Sequence, residues 1–133
     1  MDKRSKLFHF CYYWLPVILY CLAIFIQSSF PSHESIPKVR HIDKALHFTA
    51  YALMGMLFLR GFKASRFQTR LKLIILSSIL LTGLYGVGDE LHQSFVPSRD
   101  GNAWDALADF LGGTAGTLAY QWLTGYFPVF EKI

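Results

Sequence analysis

Asp43 and His47 stand four residues apart, as do Asp105 and Asp109, and between these pairs lies the run Asp89-Glu90-Leu91-His92-Gln93. Residues four apart share a helix face, so each pair presents its polar groups in one direction, and Tyr51 continues the first pair's side one turn on. Carboxylates and imidazoles in this pattern suit general acid/base work, with Glu90 and Asp89 as the acids and His47 or His92 moving the proton. The same residue types ligate Zn2+ or another divalent ion. No H-E-x-x-H register occurs, however, and Asp89-Glu90-Leu91-His92 has no recognised ligand spacing, so neither a metal nor another cofactor is expected. No nucleophile stands out, because Ser94 and Ser98 lie in a short polar stretch where serine is common.

The ionisable residues form three groups: Asp43, Lys44 and His47; Asp89, Glu90, His92 and Gln93; Arg99, Asp100, Asp105 and Asp109. They gather only if the elements carrying them bring three separate segments to one place. Along a helix through Gln93, Asp89 and Gln93 share a face, Glu90 points about 100° away, and His92 points about 60° to the other side. The four therefore cannot all face one point. Lys44 and Arg99 supply cationic groups for a phosphate or carboxylate. A plainer reading makes the whole set a salt-bridged cap, with Lys44 and Arg99 neutralising acids and Asp43, Asp100 and Asp105 favouring helix N-termini.

The positioning elements follow from composition. The chain has 133 residues, 53% of them hydrophobic and 17% charged, with mean hydropathy +0.31, a balance that excludes disorder and is too apolar for the surface of a soluble domain this small. A membrane span uses about 20 apolar residues, and the chain predicts four, over 10–30, 42–62, 71–93 and 102–125. Phe10 to Phe30 and Phe110 to Phe130 carry no charge, and Tyr12, Tyr13 and Trp14 suit an interfacial aromatic belt. Pro31 to Pro37 reads as a loop. The expected fold is one all-α domain over 1–133, an integral membrane four-helix bundle.

Lys and Arg set its orientation. Lys3, Arg4, Lys6, Arg60, Lys63, Arg66, Arg70, Lys72 and Lys132 fall on one side, against Lys38, Arg40, Lys44 and Arg99 on the other. The positive-inside rule places both termini in the cytoplasm and the three polar groups at the outer end. The net charge of +4 is thus membrane topology, and no nucleic-acid partner is expected. The first helix reads as uncleaved, since no small-residue cleavage site follows it. Cys11 and Cys21, about 15 Å apart along one helix, cannot pair with each other. Gly112 and Gly116, with Ala108 before them and Ala119 and Tyr120 after, form a small-residue stripe for close helix packing, and Gly83 and Gly86 suit the same use.

These residues resemble the VanZ-like family of small membrane proteins, whose founding member is associated with teicoplanin resistance. The likeness rests on Asp43-Lys44, His47-Phe48 and Tyr51, then Tyr85-Gly86, Asp89-Glu90, His92-Gln93-Ser94-Phe95-Val96-Pro97, Arg99, Asp105 and Gly112, within 42–116. The family often carries Asn where this chain has Asp109. The resemblance implies a multi-pass protein of a bacterial cell membrane and a link to glycopeptide tolerance, and supplies no reaction. The expected partners are the lipid bilayer, a lipid-linked cell-wall intermediate or a glycopeptide, and a second copy of the chain. The sequence thus favours an outer-face site that binds or modifies an envelope component, with His47, Asp89, Glu90 and His92 as the reactive set and Asp43, Lys44, Tyr51, Gln93, Arg99, Asp105 and Asp109 as the binding set. The alternative is a non-catalytic scaffold whose polar cluster is a cap and whose glycine stripe recruits a partner.

Overall fold

Long apolar runs punctuated by proline and charge give four helices in the computed structural model, which describes residues 2–31, 42–65 and 70–126. They are α1 (Lys3–Ser28), α2 (Ile42–Ala64), α3 (Leu71–Gln93) and α4 (Ala103–Tyr126), with no strand among the described residues. The expected bounds hold to within two residues, apart from the start of α1. That helix begins seven residues earlier than expected and takes in the basic stretch Lys3 to Lys6. The expected loop from Ser32 to Pro37 lies outside the described residues, as do Lys38, Arg40, Arg66, Lys132 and the end of the apolar run from Phe127 to Phe130.

Pro16 lies inside α1. Proline has no N–H to donate to the carbonyl four residues earlier, which here belongs to Tyr12. Arg60 of α2 donates to that carbonyl at 3.2 Å, and its guanidinium stands 4.8 Å from the ring centroids of both Tyr12 and Tyr13. The helix thus continues through a proline because a neighbouring helix takes up the freed acceptor.

α1, α2 and α3 are long and apolar enough to cross a membrane. α4 is as long but is not apolar enough to join them; its glycines, threonines and two aspartates dilute the apolar run expected to make a fourth span. The radial distribution is inverted relative to a soluble protein. Among the described residues the buried large apolar side chains are Val17, Tyr51, Met54 and Leu59, against ten buried polar or charged side chains, while leucines of every helix and phenylalanines of α1, α2 and α4 face outward. With an apolar exterior no hydrophobic force holds the helices together, so packing and interhelical hydrogen bonds must.

α2 and α4 are the most closely packed pair, and α1 rests on α2 and α3 without reaching α4. A methyl on Gly112 would collide with the Phe48 carbonyl, one on Gly116 with the Ala52 carbonyl, and one on Gly55 with the Gly113 carbonyl. The glycine stripe is therefore already occupied by α2, which removes it as a docking surface for a partner. Gly55 and Gly113 extend this contact beyond the stripe legible in the sequence.

The helices alternate in direction, so one end of the bundle carries the end of α1, the start of α2, the end of α3 and the start of α4. At the opposite end Trp14 Nε1 donates to Ser65 Oγ at 3.2 Å, and Lys63 Nζ to Thr124 Oγ1 at 2.6 Å.

Candidate functional site

Three helices each deliver one ionisable side chain to a common point near the first of these ends. His47 lies in the second turn of α2, Glu90 in the last turn of α3 and Asp109 in the second turn of α4. His47 Nδ1 is 2.9 Å from Asp109 Oδ1 and 3.7 Å from Glu90 Oε1. Asp109 is 0% exposed and Glu90 only 7%. Backbones approach closely enough for this because Gly86 of α3 has no side chain: a Cβ there would press on Asp109 and on the buried ring of Tyr51.

Glu90 has a second task. Its Oε2 accepts the backbone N–H of Asn102 at 2.8 Å, while Asn102 Oδ1 accepts the Trp104 N–H at 3.0 Å. Asn102 thus caps α4, and Glu90 from another helix satisfies the cap residue's own N–H, an arrangement related to a capping box. Sequence reasoning missed Asn102 as a site residue. Its position just before an apolar run was the available signal. Asp105, three residues into the helix, gains from the helix dipole and pairs with Lys44 Nζ at 3.0 Å.

The helical fan expected of Asp89, Glu90, His92 and Gln93 is present. Asp89 and Gln93 share a face, with Gln93 Nε2 donating to Asp89 Oδ2 at 3.0 Å. Arg99 Nη1 donates to Gln93 Oε1 at 3.2 Å, and its other nitrogens donate to the carbonyls of Phe30 (2.8 Å) and Gln27 (3.3 Å) at the end of α1. Arg99 therefore closes a helix C-terminus and pairs with no acid among the described residues. His92 points to α1, where its ring stacks on Phe25 at 4.7 Å between centroids and its Nε2 lies 3.0 Å from Ser29 Oγ. It is not brought together with His47 and Glu90. Asp43 is exposed in the first turn of α2, a position that suits the helix dipole rather than the buried cluster.

Two oxygens of the cluster remain unsatisfied. Glu90 Oε1 and Asp109 Oδ2 are buried and take no hydrogen bond among the described residues. One ligand atom each from His47, Glu90 and Asp109 lies within 4.8 Å of the other two. Chemically, the site can exchange a proton between an imidazole and two carboxylates, or hold a cation among them.

An all-helical bundle with a lipid-compatible exterior and an acidic, imidazole-bearing interior at one end defines a small helical protein of membrane type. The family model described as VanZ/LLP1 matches residues 6–124, nearly the whole chain, and the chain belongs to that family. No curated protein and no solved structure matches it.

Proposed function

We propose that this VanZ-family protein is a multi-pass membrane protein with both termini in the cytoplasm, and that its polar site faces outward and binds a cell-envelope component, with a role in glycopeptide tolerance. The cluster of half-buried His47 with buried Glu90 and Asp109 carries this reading. Ionisable groups at membrane depth are costly and are placed against a cavity or partner that uses them. Lys44, with 38% of its side chain exposed beside the cluster, is the cation that a phosphate or carboxylate of a lipid-linked cell-wall intermediate would meet first. His47 and Glu90 stand where a proton could pass to or from such a ligand.

Binding is tested on the purified full chain in lipid nanodiscs, titrated separately with a polyprenyl-pyrophosphate-linked cell-wall precursor and with teicoplanin. Saturable binding of one of them, weakened at least tenfold by Lys44→Met or His47→Gln in a folded protein, is expected. Absence of binding by the wild-type protein to both contradicts the proposal.

A second reading is favoured by the two capping arrangements. Glu90 with Asn102 fixes the start of α4 and Arg99 fixes the end of α1, so the same residues also serve a scaffold whose polar end is structural. In that case substitutions would lower stability and tolerance together.

A further inference from the structure

Among the described residues, charge in the buried cluster is out of balance. Asp89, Glu90, Asp105 and Asp109 are all buried, yet among the described residues Lys44 pairs only with Asp105, and Arg99 is spent on Gln93 and two carbonyls. Asp89 receives a neutral amide from Gln93. Glu90 and Asp109 are left with one imidazole between them, and each keeps a buried oxygen without a hydrogen bond among the described residues. Buried carboxylates in this state must be neutralised by protons or by a cation, because an uncompensated buried charge costs several kcal/mol.

From the convergence of His47, Glu90 and Asp109 we infer that this protein holds a divalent first-row transition-metal ion, with Zn2+ preferred, between α2, α3 and α4. The donor set is one imidazole nitrogen and two carboxylate oxygens, of the kind that binds Zn2+ and Mn2+, and for equal geometry Zn2+ binds the tighter. His47 Nδ1 stands 2.9 Å from Asp109 Oδ1 and 3.7 Å from Glu90 Oε1, and the three donor atoms lie within 4.8 Å of one another. With bonds of about 2.1 Å, ligands of one ion stand about 3.0–3.4 Å apart, so the two carboxylates must draw together to share it. The ligands lie 43 and 19 residues apart in the chain, as their numbers show. A search for a local spacing motif cannot find such a site. Three protein ligands leave at least one coordination position for water or for an oxygen of a bound phosphate or carboxylate. The inference concerns the ion alone and does not depend on which envelope component, if any, the protein binds.

The test uses the full chain purified in detergent, stripped with a chelator, loaded with Zn2+, Mn2+ or Mg2+ in turn, desalted and analysed for metal content and melting temperature. About one Zn2+ per chain is expected, with less Mn2+ and no retained Mg2+, and a higher melting temperature with Zn2+ than without. Asp109→Asn and Glu90→Gln, which preserve side-chain shape, are expected to weaken Zn2+ binding at least tenfold and to lose the thermal shift. Asp100→Asn, at an exposed position, is expected to retain both. Wild-type protein that retains no Zn2+ overturns the inference and assigns neutralisation to protons. So does Zn2+ retained equally by Asp109→Asn and Glu90→Gln, since the ion would then sit elsewhere.

Discussion

Lys44 and Asp105 show how a single contact divides between structure and function. Asp105 is buried, and Lys44 Nζ at 3.0 Å is its cationic partner. Replacing Lys44 with Met keeps the aliphatic stem and strands the carboxylate. Because the lysine is partly solvated, the expected loss is about 1–2 kcal/mol, read as a lower melting temperature in detergent. Lys44→Arg should retain most of the stability. Equal melting temperatures for Lys44→Met and wild type would show that Asp105 does not depend on this partner. At this scale the sequence was informative wherever helical geometry alone decides direction. The spacing of Asp89, Glu90, His92 and Gln93 was enough to separate their faces, and the structure sends Asp89 to Gln93, Glu90 to Asn102 and His92 to Ser29. It was uninformative about which neighbour each face meets. His92 meets a residue 63 positions away and Arg99 a carbonyl 72 positions away, contacts that depend on packing and not on local spacing.

At the scale of elements, the contact between α2 and α4 sets the position of the site, because it holds His47 against Asp109. Gly116 lies against the backbone of Ala52, which has no flexible atoms to yield. Gly116→Ala must therefore push the helices apart, at an expected cost of about 3 kcal/mol or more. Gly88 offers a control. A methyl there meets nothing within 4 Å, and Gly88→Ala should stabilise α3 by up to about 1 kcal/mol through helix propensity. Melting temperatures of the two variants should move in opposite directions; a fall of similar size in both would contradict the packing described. The stripe of Gly112 and Gly116 was visible in the sequence, since small residues one turn apart mark a close helix approach. Which helix it receives was not, and Gly55, alone in its stretch of α2, gave no comparable pattern. Pro16 is accommodated within α1 where Arg60 takes up the carbonyl it frees.

For the whole molecule, the inverted distribution of polar and apolar residues is consistent with a bilayer environment. The excess of Lys and Arg near one end of the bundle supports the proposed orientation, with that end in the cytoplasm. In a chain with Cys11 and Cys21 replaced by serine, Asp100→Cys should react with a membrane-impermeant maleimide added to intact cells, and Lys72→Cys should react only after the membrane is permeabilised. The reverse pattern would turn the site toward the cytoplasm and remove the envelope reading. Four helices and their directions were legible because length, hydropathy and charge act independently of one another along the chain. The shortfall in the apolar character of α4 reflects the glycines and acids that its packing and site require.

The cluster around Glu90 is proposed to be a working site and not only a cap. The decisive measurement is the teicoplanin susceptibility of cells producing wild type or Glu90→Gln at matched membrane levels, with melting temperatures of the purified, metal-stripped proteins alongside. Glutamine keeps an oxygen to accept the Asn102 N–H and removes the charge. Wild type is expected to protect, and Glu90→Gln to lose protection while its metal-free form melts within a few degrees of metal-free wild type. Protection retained by Glu90→Gln, protection and stability falling together, or a wild type that never protects would contradict the proposal.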